Sequence, residues 1–218
     1  VFTLGRQLGK TITVGAFLMY QCIFNRDYTV AILANNATKS REILSRLKMM
    51  YENLPWWLKP GVVEWNKGSI EFSNGSKVFA GPTTPSSIRG YSISCLYLDE
   101  FSFVQNDVEF YTSTYPVISS GTTSKIIITS TPNGLNLFYK IFTDSQYGRN
   151  SFNNAKFIWS AHPNRDEAWK IETIKNTSIV QFRQEHSCCI GETKVTVRNK
   201  KTGVIETTTI ENLYNRLQ

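Results

Sequence analysis

Val1-Phe2-Thr3-Leu4-Gly5-Arg6-Gln7-Leu8-Gly9-Lys10-Thr11 opens the chain, and its reading decides the fold. A strand end runs into a polar, glycine-bearing loop, and Ile12 to Phe24 continues as a mostly apolar run long enough for a buried helix. A loop between a buried strand and a helix, ending Gly-Lys-Thr, is how a phosphate cradle is built: backbone N–H groups and the helix N-terminus face the anion. Lys10 would reach the outer phosphates, and the Thr11 hydroxyl would bind Mg²⁺. The match to G-x-x-x-x-G-K-[ST] is degenerate, because Leu4 stands at the first glycine position and Gly5 follows one place later. A turn bearing a surface lysine is the bland alternative.

Working outward, Tyr28 to Ala34 is continuously apolar, as strands of a parallel sheet are. Asn35 to Leu54 places Ile43, Leu44, Leu47, Met50, Tyr51 and Leu54 at helical spacing, and Pro55 stops the run. Three short alternating strands follow, Val62–Trp65, Ser69–Phe72 and Lys77–Ala80. The turn signals Asn66-Lys67-Gly68 and Asn74-Gly75-Ser76 separate them, so an antiparallel excursion interrupts the α/β pattern. Ile93 to Leu98 is a strand ending in Asp99-Glu100, a helix is expected over Asp107 to Tyr115, and Lys125 to Thr131 is another buried strand closed by Pro132-Asn133-Gly134. A helix follows from Leu135 to Phe142, then a strand over Lys156 to Ser160 and two short helical stretches reaching His186.

The strand end at Asp99-Glu100 sharpens the reading of the opening loop. An apolar strand closed by two acids supplies an Asp for Mg²⁺ and a Glu to orient and deprotonate an attacking water. Two solvated acids capping a strand are the alternative, but they do not explain the Gly-Lys-Thr upstream. Thr129, Ser130 and Thr131 end the next strand where they could sense phosphate, or could simply satisfy local backbone. Arg6 and Arg89 are candidates for stabilising transition-state charge.

Composition narrows the classes. A chain of 218 residues holds one to two domains. With 41% hydrophobic and 19% charged residues it is globular rather than disordered. Polar residues break every apolar stretch, so no membrane-spanning helix is expected. Twenty-four basic residues against 17 acidic ones give +7, scattered along the chain, which permits contact with nucleic acid. Four cysteines, two of them adjacent, do not make a disulfide framework and suit a reduced, cytosolic setting. The chain has no initiator Met or signal pattern and reads as part of a larger product.

Taken together, these residues resemble the ATPase motor domain of tailed-phage terminase large subunits, of the large contractile-tailed type. The resemblance runs over almost all of residues 1–187. Arg6-Gln7-Leu8-Gly9-Lys10-Thr11 looks like the family's deviant Walker A, and Leu96-Tyr97-Leu98-Asp99-Glu100 like its Walker B. Gly61 to Ile70 with Asn74-Gly75-Ser76, Ile88-Arg89-Gly90, Pro116 to Gly121, Ser124 to Gly134 and Gln181 to His186 also match. The resemblance implies an ASCE-type P-loop NTPase fold, with a mainly parallel sheet flanked by helices. It implies an ATP-driven motor that packages double-stranded DNA into a procapsid, with portal and small terminase subunit as partners, in the cytoplasm of the infected bacterial host and without a membrane. Arg6 would act in cis, Arg6 to Thr11 would bind nucleotide, Thr11 and Asp99 would hold Mg²⁺, Glu100 would activate water, and Thr129, Ser130 and Thr131 would couple hydrolysis to motion. The expected domains are an ATPase core over 1–160, part of a second ATPase subdomain over 161–187, and a separate tail. A superfamily 2-like helicase or another P-loop ATPase is the alternative, as is a binding module with a vestigial loop.

The tail, 188–218, departs from that pattern. Cys188-Cys189-Ile190-Gly191-Glu192-Thr193-Lys194-Val195 looks like the N-terminal block of an intein, with Cys188 as its first residue and nucleophile and Glu192 and Thr193 as supports. A hairpin over Thr193–Arg198 and Val204–Ile210, then a short helix to Gln218, resembles the N-fragment of an atypically split Hint-type intein. That implies a complementary C-terminal intein chain as partner. A degenerate tail is the other reading.

Overall fold

The computed structural model describes residues 1–119, 121, 123–188, 194–198 and 202–216. The elements run β1 (Phe2–Leu4), α1 (Lys10–Phe24), β2 (Thr29–Ala34), α2 (Ala37–Glu52), β3 (Val62–Trp65), β4 (Ser69–Phe72), β5 (Lys77–Pro82), β6 (Cys95–Asp99), α3 (Asp107–Ser119), β7 (Lys125–Ser130), α4 (Leu137–Gln146), β8 (Ala155–Phe157), α5 (Glu167–Asn176), α6 (Ile179–Glu185), β9 (Lys194–Arg198), β10 (Ile205–Thr209) and α7 (Ile210–Asn215). They pack as two units. One holds Gly9–Ser130 and the other Thr3–Leu8 with Thr131–Gln218; Phe2 falls with the first and Val1 with the second.

In the Gly9–Ser130 unit the strand order is β3-β4-β5-β2-β6-β7. β2 is parallel to both β5 and β6, and β6 is parallel to β7. Every residue of β2 and β6 is buried, which is why their sequences read as unbroken apolar runs. The excursion is antiparallel where the turn signals lie, β3 to β4 and β4 to β5. Its third strand, however, turns back into the main sheet beside β2. Valine, leucine and methionine from α1, the Ile43, Leu44 and Leu47 face of α2, and residues of β2, β4, β5 and β6 form one apolar cluster.

Asn74 joins the excursion to α1. Its side-chain amide donates to the carbonyls of Cys22 and Asn25 at 2.8 and 3.0 Å, and Ser76 donates its backbone N–H to the Asn74 Oδ1 at 3.0 Å. The last turn of α1 carries no basic residue, so this amide satisfies carbonyls that the helix leaves unpaired. Asn74→Ala is expected to cost about 1–2 kcal/mol, read as a shifted denaturation midpoint with unchanged slope. A midpoint like that of the unmutated chain would show that solvent replaces the cap.

The helix expected to stop before Pro116 continues to Ser119. Pro116 lies in its last turn, where its missing N–H forfeits only one helical bond before the helix ends.

In the second unit β1 lies beside β8. Trp159, Trp169, Phe182 and His186 pack as a ring cluster with centroid separations of 5.2–6.1 Å. β9 and β10 form an antiparallel pair from Ile205 opposite Arg198 to Thr209 opposite Lys194, followed by α7. Glu192 and Thr193, the expected intein supports, lie outside the described residues, as does Cys189.

Candidate nucleotide site

The first turn of α1 is built differently from those of α2, α4, α5 and α6. Side chains of Asn36, Asn136, Asp166 and Ser178 cap α2, α4, α5 and α6 by accepting a backbone N–H. At α1 the capping position is Gly9, in the left-handed region at φ 78°; no side chain caps this end and no acid sits in its first turn. A Cβ at Gly9 would meet nothing within 4 Å, so backbone conformation rather than space calls for glycine. A bare, positive helix N-terminus flanked by Lys10 and a half-buried Thr11 is suited to an anion.

Lys10, Asp99 and Glu100 converge on one point. Lys10 Nζ is ion-paired with Glu100 and lies 3.4 Å from Asp99 Oδ1. The three side chains are only 15%, 11% and 23% exposed, so their charges act on one another with little solvent screening. Asp99 ends β6, and Thr129 lies opposite it on β7. Thr129 donates its hydroxyl to Asp99 Oδ1 at 2.8 Å. Ligands of open α/β sheets bind at such carboxyl ends of strands.

Glu100 follows β6 in the left-handed conformation, φ 53° and ψ 42°, and starts a short 3-10 turn over Phe101–Phe103. A non-glycine residue held there costs about 1–3 kcal/mol, and such strain clusters at functional sites. Ser130 donates to Glu100 Oε2 at 3.4 Å, and its hydroxyl lies 2.6 Å from that of Ser102. The two acids are thus each tied to the end of β7, Asp99 through Thr129 and Glu100 through Ser130. Thr131, also buried, falls just beyond the strand in the second unit.

The loop residues Gly5 to Leu8 belong to the second unit. Gly5 donates to the Phe157 carbonyl at 2.9 Å and Arg6 to that of Glu185 at 2.8 Å. A Cβ on Gly5 would come within 2.9 Å of the His186 carbonyl, so this close approach requires glycine. The Arg6 side chain is ion-paired with Glu185. Arg165, stacked 4.5 Å over Trp169, donates to the Arg6 carbonyl at 3.0 Å and to Gln7 Oε1 at 3.4 Å. Burial lowers the His186 pKa, and the nearby Arg165 and Arg6 charges push it the same way. Arg89 is exposed after the 3-10 turn Pro85–Ser87.

Three participants were given no role from sequence, although Tyr97 and Glu185 lie within the stretches that match. Tyr97 bonds to Asp99 and Thr129, Ser102 bonds to Ser130, and Glu185 holds Arg6. Tyr97 alone carries a local signal, lying two residues before Asp99 on the same strand face.

The family model for the N-terminal part of the T4likevirus-type terminase large subunit matches residues 1–205. The chain belongs to this family. The fold of terminase ATPase domains recurs in solved structures. The Thermus phage P74-26 large terminase ATPase domain superposes with a TM-score of 0.71 at 19% identity, covering 86% of each chain. The large terminase of a thermophilic bacteriophage, solved with ATP-gamma-S, matches with a TM-score of 0.65 at 13% identity, over 85% of this chain and 46% of that one. The bacteriophage HK97 large terminase gives 0.65 at 14% identity, over 90% and 47%. The chain thus spans about half of those two whole large terminases.

Among the described residues no three His, Cys, Asp or Glu side chains gather to hold a metal, and no helix is long and apolar enough to cross a membrane. Mg²⁺ does not need an all-protein cage; it binds through one or two protein oxygens together with phosphates. Thr11 and Asp99 supply hard oxygen donors of that kind, so the donor set fits.

Proposed function

We propose that the chain is the ATP-hydrolysing motor domain of a terminase large subunit that packages double-stranded DNA. The supporting observation is the meeting of Lys10, Asp99 and Glu100 beside the uncapped start of α1. Arg6 to Thr11 serve as the deviant Walker A and Asp99-Glu100 as the Walker B pair. Backbone N–H groups of α1 receive the phosphates, and Lys10 exchanges its carboxylate partners for phosphate oxygens. Thr11 and Asp99 hold Mg²⁺, whose contribution is to neutralise phosphate charge. Glu100 accepts the proton of the attacking water, and Arg6, once released by Glu185, stabilises charge in cis. Thr129, Ser130 and Thr131 carry the change at the acids into β7 and the segment after it. The thermophilic phage enzyme's complex with ATP-gamma-S agrees with this ligand. Portal, procapsid and small terminase subunit are the proposed partners, in the cytoplasm of the infected host. The direct test is Mg²⁺-dependent binding of ATP-gamma-S to the 218-residue chain; no binding would remove the reading.

The tail is proposed as the N-half of a split intein that joins residues 1–187 to a nuclease portion on another chain. The family match continues to residue 205, past Ser187, so the junction rests on the Cys188 block itself. Cys188 is buried, with φ 49° and its thiol 3.6 Å from the Phe157 carbonyl, an unusual backbone state at the proposed junction. In the first step Cys188 Sγ attacks the Ser187 carbonyl carbon, the peptide C–N bond breaks, and the amine leaves with the thiol proton, giving a thioester. Mixing with the complementary chain is expected to yield one product ligated after Ser187. Cys188→Ala should stop ligation and Cys189→Ala should spare it. The reverse pattern would shift the junction by one residue, and indifference to both would remove the intein reading.

A further inference from the structure

We propose that Tyr97 is a positioning residue that fixes the direction in which the Asp99 carboxylate meets Mg²⁺. The inference rests on the nucleotide-site reading above and adds a residue to it.

Tyr97 and Asp99 lie two apart on β6, so both side chains leave the same face. The tyrosine ring is wholly buried in the apolar cluster that α1, α2 and β2 build. A buried phenol must find a hydrogen-bond partner. Here the partners are Asp99 Oδ1 at 3.1 Å and the Thr129 hydroxyl at 3.1 Å. Thr129 in turn lies 2.8 Å from the same Oδ1.

These three contacts share two protons. The shortest, from Thr129 to Asp99, takes one. The phenol proton goes either to Oδ1 directly or to the Thr129 oxygen, strengthening the bond that Thr129 makes. In the first arrangement both hydroxyls bond Oδ1, in the second Thr129 does so with Tyr97 behind it, and in neither does Oδ2 take one of these bonds. A carboxylate pinned through one oxygen presents the other in a set direction. Thr129 and Lys10, the latter at 3.4 Å, also hold Oδ1, and Tyr97 adds an anchor from the carboxylate's own strand.

The bland account is that Tyr97 fills the core and its hydroxyl is merely satisfied. Tyr97→Phe separates the two, because it keeps the ring and removes one oxygen. Binding of a fluorescent, non-hydrolysable ATP analogue is measured without divalent ion and then across a Mg²⁺ titration, at a temperature where melting curves show both proteins folded. Hydrogen-bond partners of metal-binding carboxylates typically change metal affinity about 10–100-fold. The Mg²⁺ concentration for half-maximal enhancement is therefore expected to rise at least about tenfold. Mg²⁺-free binding should stay unchanged, since Lys10 and the start of α1 hold the phosphates. An unchanged Mg²⁺ midpoint, or an equal loss of binding with and without Mg²⁺, would overturn the positioning role. If the unmutated chain shows no Mg²⁺-dependent binding, the nucleotide-site reading fails first and takes this inference with it.

Discussion

Glu100→Gln is expected to bind ATP and fail to hydrolyse it. Glutamine matches the shape of glutamate and can still bond to Ser130, but it cannot take a proton from water. Loss of a general base costs about 10²–10⁴-fold in rate. Binding should persist for a geometric reason. Lys10 lies between two carboxylates, and the change removes one of them while Asp99 remains 3.4 Å away. Phosphate binding needs Lys10 released from the acids, so a weaker hold at position 100 does not oppose it. Glu100 also occupies a left-handed backbone state at φ 53°, whose cost a residue of purely electrostatic value could avoid by sitting in the strand. That conformation turns the side chain toward Lys10 and Ser130 rather than along β6. The check is single-turnover phosphate release from protein carrying the complete motor, beside equilibrium binding of an ATP analogue. Retained hydrolysis would remove Glu100 from the role of base.

How much of this was open to a reader of the sequence depends on the range of each interaction. Continuous apolar runs gave away β2 and β6, because burial on both faces leaves no alternation to hide; β7 reads the same way although only its second half is buried. Helical spacing identified α2, whose Ile43, Leu44 and Leu47 enter the core. The meeting of Lys10, Asp99 and Glu100 could be anticipated because each stands at its own strand end or helix start. Strand neighbours were not: the turn at Asn74-Gly75-Ser76 announces a hairpin, but nothing local places β5 beside β2. Nor does a turn asparagine reveal that its amide caps α1. Arg6 was visible as a loop arginine, whereas its partner Glu185 comes from α6, far along the chain. Pro116 misled because proline is costly inside a helix and cheap in its final turn, and sequence alone does not say which turn it occupies.

Lys10→Ala should act in the opposite sense to Glu100→Gln, on binding first and on turnover as a consequence. A hydrogen bond to a charged group contributes about 1.5–3 kcal/mol, so analogue affinity is expected to fall about 10–100-fold. The uncapped start of α1 remains, and with it the backbone N–H groups proposed to receive the phosphates, so residual binding should survive at high ligand concentration. The change also acts on the free protein. Lys10 is ion-paired with both Asp99 and Glu100, and removing it takes a positive charge away from two carboxylates where little solvent reaches. Breaking a fully buried pair costs about 3–5 kcal/mol. At 11–23% exposure the penalty should be smaller, and it should appear as a lowered Tm without nucleotide. Mg²⁺ discriminates between the two consequences. If the acids are a Mg²⁺-binding pair, millimolar Mg²⁺ should recover part of the Tm of Lys10→Ala, because a ligand that binds only the folded state stabilises it. It should not recover analogue affinity, because the missing contact is to phosphate. Unchanged analogue binding in Lys10→Ala would mean that Gly5 to Thr11 is not a phosphate cradle, and Lys10 would then be a structural counter-ion for the two acids.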